Sequence, residues 1–183
     1  LLVVITLVSV IVVAIIPFFT RSFRSYLSLQ ANALHKSELL TAHDRVGRIL
    51  RGSTEITDAQ TDEITTFVYF TPQDNLESKV RIYTDADGRL LADLIRPSGT
   101  PPNITYDPDD TEQVTLANNI SNASSIITYY DEDGDEVADP NTDLAAVRQL
   151  RFELEAPKPY PPNGSESTLT VNRVTLRNYK RNL

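Results

Sequence analysis

The chain has 183 residues, no Cys, no Met and a formal net charge of −8. Without cysteine, neither a disulfide framework nor thiolate chemistry is open to it. Without methionine, Leu1 is expected to be internal or exposed by processing. The charge is polarised: residues 1–51 hold six basic and two acidic residues (+4), and the remainder holds eleven basic and 23 acidic ones (−12). So acidic a distal part is not expected to bind nucleic acid, whose phosphates demand a basic surface. A basic proximal segment beside an acidic distal one permits attraction between neighbouring copies.

The first element is an apolar run with no charged residue from Leu1 to Phe19. Its large side chains are Leu1, Leu2, Val3, Val4, Ile5, Leu7, Val8, Val10, Ile11, Val12, Val13, Ile15 and Ile16, and it closes on Pro17, Phe18 and Phe19. As a helix these residues would reach about 29 Å, the thickness of a bilayer's hydrocarbon core. A helix without a polar face is buried on every side, in lipid or among copies of itself. A signal peptide would be shorter, follow a basic segment and end in small residues, none of which fits here. The visible basic residues follow the span, which would put that side in the cytoplasm; a basic leader upstream would reverse the assignment.

Pro17 removes one backbone hydrogen bond and is expected to kink or loosen the helix at the preceding turn. From Ser22 to Arg51 the pattern turns amphipathic, with Phe23, Tyr26/Leu27, Ala33/Leu34, Leu40, Val46 and Ile49/Leu50 near helical spacing. Arg48 and Arg51 followed by Gly52 suit the end of such a helix. One helix of about 50 residues is therefore expected. Beyond Gly52 the period shortens to two. Strands are expected at Glu63–Phe70, Lys79–Thr84, Arg89–Ile95, Gln113–Leu116, Ser125–Tyr130, Val147–Glu155 and Thr168–Asn178. Pro97–Pro108 and Pro157–Gly164 read as surface loops, and Asn141–Ala146 as a short helical turn. Asp87-Gly88 promises a two-residue hairpin connection, and Asp133-Gly134 a near twin.

The elements add up to an α+β chain: an apolar helix segment (1–20), an amphipathic helix packed on the head (21–52) and an antiparallel β head (53–183). A meander needs cover for its apolar face, and the striped half of the helix is the large apolar partner at hand.

Candidate sites are few. Asp131, Asp133, Asp135 and Asp139 have the spacing of a calcium loop, in which several oxygens converge on a hard cation. Against that stands a solvated acidic hairpin turn, for which the similar Asp85–Gly88 segment argues. His35 and His43 lie eight residues apart on the helix and read as surface or interface residues rather than metal ligands. With no Cys, no Gly-rich phosphate loop and both histidines on that helix, no catalytic constellation emerges and no enzyme is expected. Asn103, Asn119, Asn122 and Asn163 begin glycosylation sequons. Tyr106 and Tyr160, flanked by prolines, read as packing residues, with an exposed contact surface as the alternative.

The run Leu1-Leu2-Val3-Val4-Ile5 to Ile16, Pro17 and the tail Val174-Thr175-Leu176-Arg177-Asn178 resemble type IV pilins and the pseudopilins of type II secretion systems. The resemblance is specific over the first 50 residues and architectural beyond them. It implies a lollipop shape, residence in the cytoplasmic membrane before assembly, and cleavage of a basic leader. It further implies extraction by a pilus assembly machinery into a cell-surface filament of identical or related subunits. The family's processing site and its acidic residue would lie just before Leu1. Residues 1–19 would then exchange lipid for neighbouring subunits, and Pro17 would let the packed helix stretch. The leading expectation is a pilus subunit serving adhesion, motility or DNA uptake. A minor pilin or secretion pseudopilin is the second, and an anchored binding ectodomain that never polymerises the third. No cofactor is implied beyond the candidate calcium.

Overall fold

In the computed structural model the described residues are 2–69, 74–122, 126–158 and 167–176, with the helix side chains at positions 2, 7, 9–12 and 14 excepted. The chain is α+β. Helix α1 (Leu2–Arg51) is followed by strands β1 (Ser53–Ala59), β2 (Glu63–Val68), β3 (Ser78–Thr84), β4 (Leu90–Thr100) and β5 (Asn103–Ala117). Then come β6 (Ile127–Tyr130), β7 (Gln149–Pro157) and β8 (Ser167–Thr175). The single meander expected from the sequence is in fact two sheets. The first runs β1-β2-β3-β4-β5 and the second β6-β7-β8, every pairing antiparallel.

α1 is one unbroken helix with Pro17 inside it. The expected loosening does not interrupt it, although the proline ring leaves the carbonyl one turn back without its usual donor. Thr20 Oγ1 donates to the Ile16 carbonyl at 2.8 Å. The helix ends as expected, with Arg48 and Arg51 in its last turn and Gly52 N donating to Ile49 O at 3.0 Å. No left-handed cap is used; the chain passes directly into β1.

The apolar spacing is right for the helix face that packs on the sheets at Val46, Ile49 and Leu50, and wrong upstream of them. Full burial begins at Leu39 and continues through Ala42, His43, Val46 and Leu50. Upstream, Ser28, Ala31, Asn32 and His35 continue the same row and are half-buried. Phe23, Tyr26, Leu27, Leu34 and Leu40, read as head-facing, are exposed. The buried row is interrupted by polar side chains, so counting apolar residues selected its neighbour. The helix is fully buried only through its last three turns and is half-buried along the same row from Ser28 onward.

The core joins both sheets and the helix end: Leu39, Val46 and Leu50 share one cluster with Ile64, Ile82, Leu90, Leu150, Phe152 and Leu154. Inward residues alternate along β3 and β7, as half-buried strands require, while in β2 Ile64, Thr65 and Thr66 are buried in succession. Tyr129 ties the sheets together, its buried hydroxyl donating to the Gln60 carbonyl at 2.9 Å. The amides of Ile126 and Ile127 both reach the Thr61 carbonyl at 2.8 Å from the same turn. Burial, reinforced by Asp58, Asp62 and Glu63, pushes the Tyr129 phenol far above its ordinary range, so it stays a donor.

Strand β1 was missed in the sequence because its buried positions include hydroxyls. Ser53 pairs with Thr66, and Thr54 Oγ1 donates to the Phe67 carbonyl at 3.1 Å. The expected loop Pro97–Pro108 is instead mostly the hairpin of β4 and β5, turning at Pro101 and Pro102, whose connecting peptide is cis. Only residues 107–110 bulge from it, between the pairs Ile95↔Thr111 and Pro97↔Tyr106. Residues 140–146 form successive turns, not a helix. Most of the second expected loop, and the chain beyond Leu176, lie outside the described residues.

Candidate functional site

Two features of the sequence promised function: the long helix and the acidic turn after β6. The helix is the larger. At about 1.5 Å per residue α1 extends roughly 75 Å. Its described apolar side chains before residue 20, Val3, Val4, Ile5, Val8 and Val13 among them, are exposed. Exposure continues beyond the apolar run, at Phe23 (64%), Tyr26 (63%), Leu29 (67%) and Leu34 (66%). Leu29 had not been recognised as part of this surface; its exposed neighbours had been assigned to the head. Phe18 and Phe19 meet edge to face, with ring centroids 6.4 Å apart. Among the described residues no helix is long and apolar enough to cross a membrane. The apolar run of the sequence includes positions 2, 7, 9–12 and 14, whose side chains fall outside that description. Leu1 lies outside it too.

The acidic turn is a closed hydrogen-bonded unit. Asp131 Oδ1 accepts from the backbone amides of Gly134 and Asp135, each at 2.9 Å, while Asp131 N donates to Asp135 O at 3.0 Å. Gly134 takes φ +90°, which only glycine adopts readily. Asp133 and Asp135 are exposed, and Asp139 Oδ2 instead accepts from Thr142 Oγ1 at 2.6 Å, within the next turn. Among the described residues no three His, Cys, Asp or Glu side chains gather where they could hold a metal ion.

The twin turn repeats the device. Asp85 Oδ1 accepts from Asp87 N and Arg89 N at 3.0 and 2.8 Å, and Arg89 Nε bonds Asp85 Oδ2 at 2.7 Å. The Arg89 backbone amide, ahead of its guanidinium, holds the Asp85 carboxyl below its ordinary range. The connection is longer than the two residues expected: Asp85 and Arg89 pair across Ala86-Asp87-Gly88, with Gly88 at φ +71°.

His35 is half-buried and His43 buried, on the docking face of α1. Eight residues of helix separate them by about 12 Å, too far to share an ion. His43 stacks obliquely on Phe152, with ring centroids 5.9 Å apart, and its Nδ1 has no hydrogen-bond partner among the described residues. Burial lowers its pKa from the ordinary 6.5, outweighing the opposing pull of Asp44.

Of the sequon asparagines, Asn103 and Asn119 are exposed, Asn119 with φ +63°. Asn122 is not available for modification in the folded chain. Its Nδ2 donates to Glu153 O at 3.1 Å and its Oδ1 accepts from Glu155 N at 2.8 Å, binding it to β7. Asn163 and Tyr160 lie outside the described residues. Tyr106 packs as expected, 5.1 Å from the Phe67 ring, with its hydroxyl donating to Glu77 O at 2.9 Å.

Comparison with family models, with curated proteins and with solved structures returns no match for this chain.

Proposed function

We propose that the protein is a structural filament subunit of the type IV pilin or pseudopilin kind, polymerising through α1 and carrying its sheets as a head. One observation carries the reading. A bilayer would cover about 20 residues of helix, and the sheets bury it fully only from Leu39. Residues 20–38, about 28 Å of helix, lie beyond the bilayer and meet the head only along the half-buried row of Ser28, Ala31, Asn32 and His35. Yet Phe23, Tyr26, Leu27, Leu29 and Leu34 are exposed there. A solvated stalk has no use for so many large apolar groups, and an apolar patch of this kind marks an interaction surface. Copies of the same helix, staggered along a common axis, would cover it together with the segment before residue 20. Heterologous packing of that kind extends into a helical filament. An anchored ectodomain that never polymerises would leave it in water, so this observation favours the filament.

In this reading the chain resides in the cytoplasmic membrane before assembly and on the cell surface afterwards, handed over by a pilus assembly machinery. Electron microscopy of sheared surface fibres, with an antibody raised against residues 53–158, tests it. Regular labelling along fibres is the expected result. Labelling at fibre ends alone would make it a minor, tip-type subunit. Membrane fractions that contain the chain beside fibres that lack it would refute the filament role.

A further inference from the structure

Between the last two turns of α1 and the inner face of the five-stranded sheet lies a half-open cleft of about 600 Å³. That is within the ~300–1,000 Å³ of small-molecule sites. Its floor is Val68, Val80, Ala92 and Leu94, side chains that point inward from β2, β3 and β4. Val114 and Leu116 of β5 and Ile49 of the helix make the walls. One end is shut where helix and β2 meet: a Cβ built on Gly52 would sit 3.1 Å from Val68 Cγ2.

The rim is not apolar. Arg45 and Arg48 stand on the helix side, one turn apart and exposed. Among the described residues neither makes an ion pair, in a chain of net charge −8. Two guanidiniums three residues apart on a helix repel each other, and an anion between them would turn that repulsion into attraction. The opposite rim carries Glu112, paired across the strands with Leu94 and held by Arg96 at 3.5 Å. An anion is therefore excluded from the sheet side and drawn to the helix side.

We propose that this cleft binds a single-chain anionic amphiphile, a long-chain carboxylate. Its headgroup sits on Arg45 and Arg48, where guanidinium forks match a carboxylate in bidentate fashion. Its alkyl chain lies over Val80, Leu94 and Val114. A cavity of this volume takes one chain rather than the two of a membrane phospholipid. The site is independent of whether the chain polymerises.

The test uses the full chain in nanodiscs of zwitterionic lipid, photolabelled with a diazirine-bearing dodecanoate and mapped by mass spectrometry. Adducts are expected on peptides of β3–β5, competed by dodecanoate but not by dodecyl maltoside, which has the same tail and a neutral head. Arg45→Gln with Arg48→Gln should reduce those adducts about tenfold, the loss expected of charge-assisted hydrogen bonds. Val114→Trp, which fills the mouth, should do the same, with both variants keeping the parent's thermal unfolding curve. Adducts confined to residues 2–20, equal competition by the maltoside, or labelling unchanged in the arginine variant would each overturn the proposal.

Discussion

If copies of α1 cover one another, side chains of the same type on the same helix should divide sharply by what their loss does. Leu50 is fully buried where the helix meets the sheets, whereas Leu29 and Leu34 are each about two-thirds exposed. Leu50→Ala removes a core side chain and should cost the head ~2–5 kcal/mol, of the order of 10 °C in Tm for a domain of this size. Leu29→Ser with Leu34→Ser should leave head unfolding within ~0.5 kcal/mol of the parent, since neither side chain is enclosed by its own chain. In a filament the pair would bury what remains of its surface, worth roughly 1–2 kcal/mol for each leucine. Its loss should raise the subunit concentration needed for assembly about 30-fold or more, at 1.4 kcal/mol per factor of ten. Thermal unfolding by circular dichroism gives the first quantity. The yield of sheared fibres at matched membrane levels of subunit gives the second. Full fibre yield from the Leu29/Leu34 variant would refute the reasoning, because the surface on which it rests would then be dispensable.

The buried His43 makes stability depend on acid. Because burial lowers its folded pKa below 6.5, the unfolded chain binds more protons as pH falls through and below that value. Stability is therefore fully present above 6.5 and is lost toward the folded pKa; His43→Gln should show a shallower decline, and parallel profiles would contradict this. The two glycine turns should separate strain from collision. At Gly88 a Cβ would lie 2.8 Å from the Ile120 carbonyl oxygen, whereas at Gly134 nothing stands within 4 Å. Gly134→Ala should cost ~1–2 kcal/mol, for the backbone alone, and Gly88→Ala more, since Ile120 N also donates to Gly88 O at 2.8 Å; equal losses in denaturant unfolding would remove the collision from the account. Asp131→Ala, which removes the acceptor of two exposed turn amides, should lower stability by ~0.5–1.5 kcal/mol, and calcium should leave the Tm of the parent unchanged. A calcium-dependent rise in Tm that Asp131→Ala abolishes would instead assign a cation to this turn.

The helix was legible because its two signals, an uncharged run and a 3.6-residue period, are long and redundant. The strands β3 and β7 were legible because Val80, Ile82, Leu150, Phe152, Leu154 and Ala156 alternate inward, and β2 because Ile64 and Val68 flank its buried threonines. β1 escaped because hydrogen-bonded Ser53 and Thr54 hold buried positions that alternation assigns to apolar residues. The way the two sheets join escaped because contacts to backbone carbonyls make it. The Gln60–Glu63 turn receives Ile126, Ile127 and the Tyr129 hydroxyl from the second sheet, and no period announces a carbonyl acceptor. The docking face of α1 escaped for a more instructive reason. Periodicity finds the most apolar face of a helix and cannot say what covers it. Here the most apolar face upstream of Leu39 is exposed, while the head takes the row with Ser28, Asn32, His35 and His43. That leaves Phe23, Tyr26, Leu27, Leu29 and Leu34, spread round the sides of the helix that the head does not cover, open to another chain. The mismatch between the strongest sequence signal and the observed contact is what the proposed packing of further copies along this helix would explain.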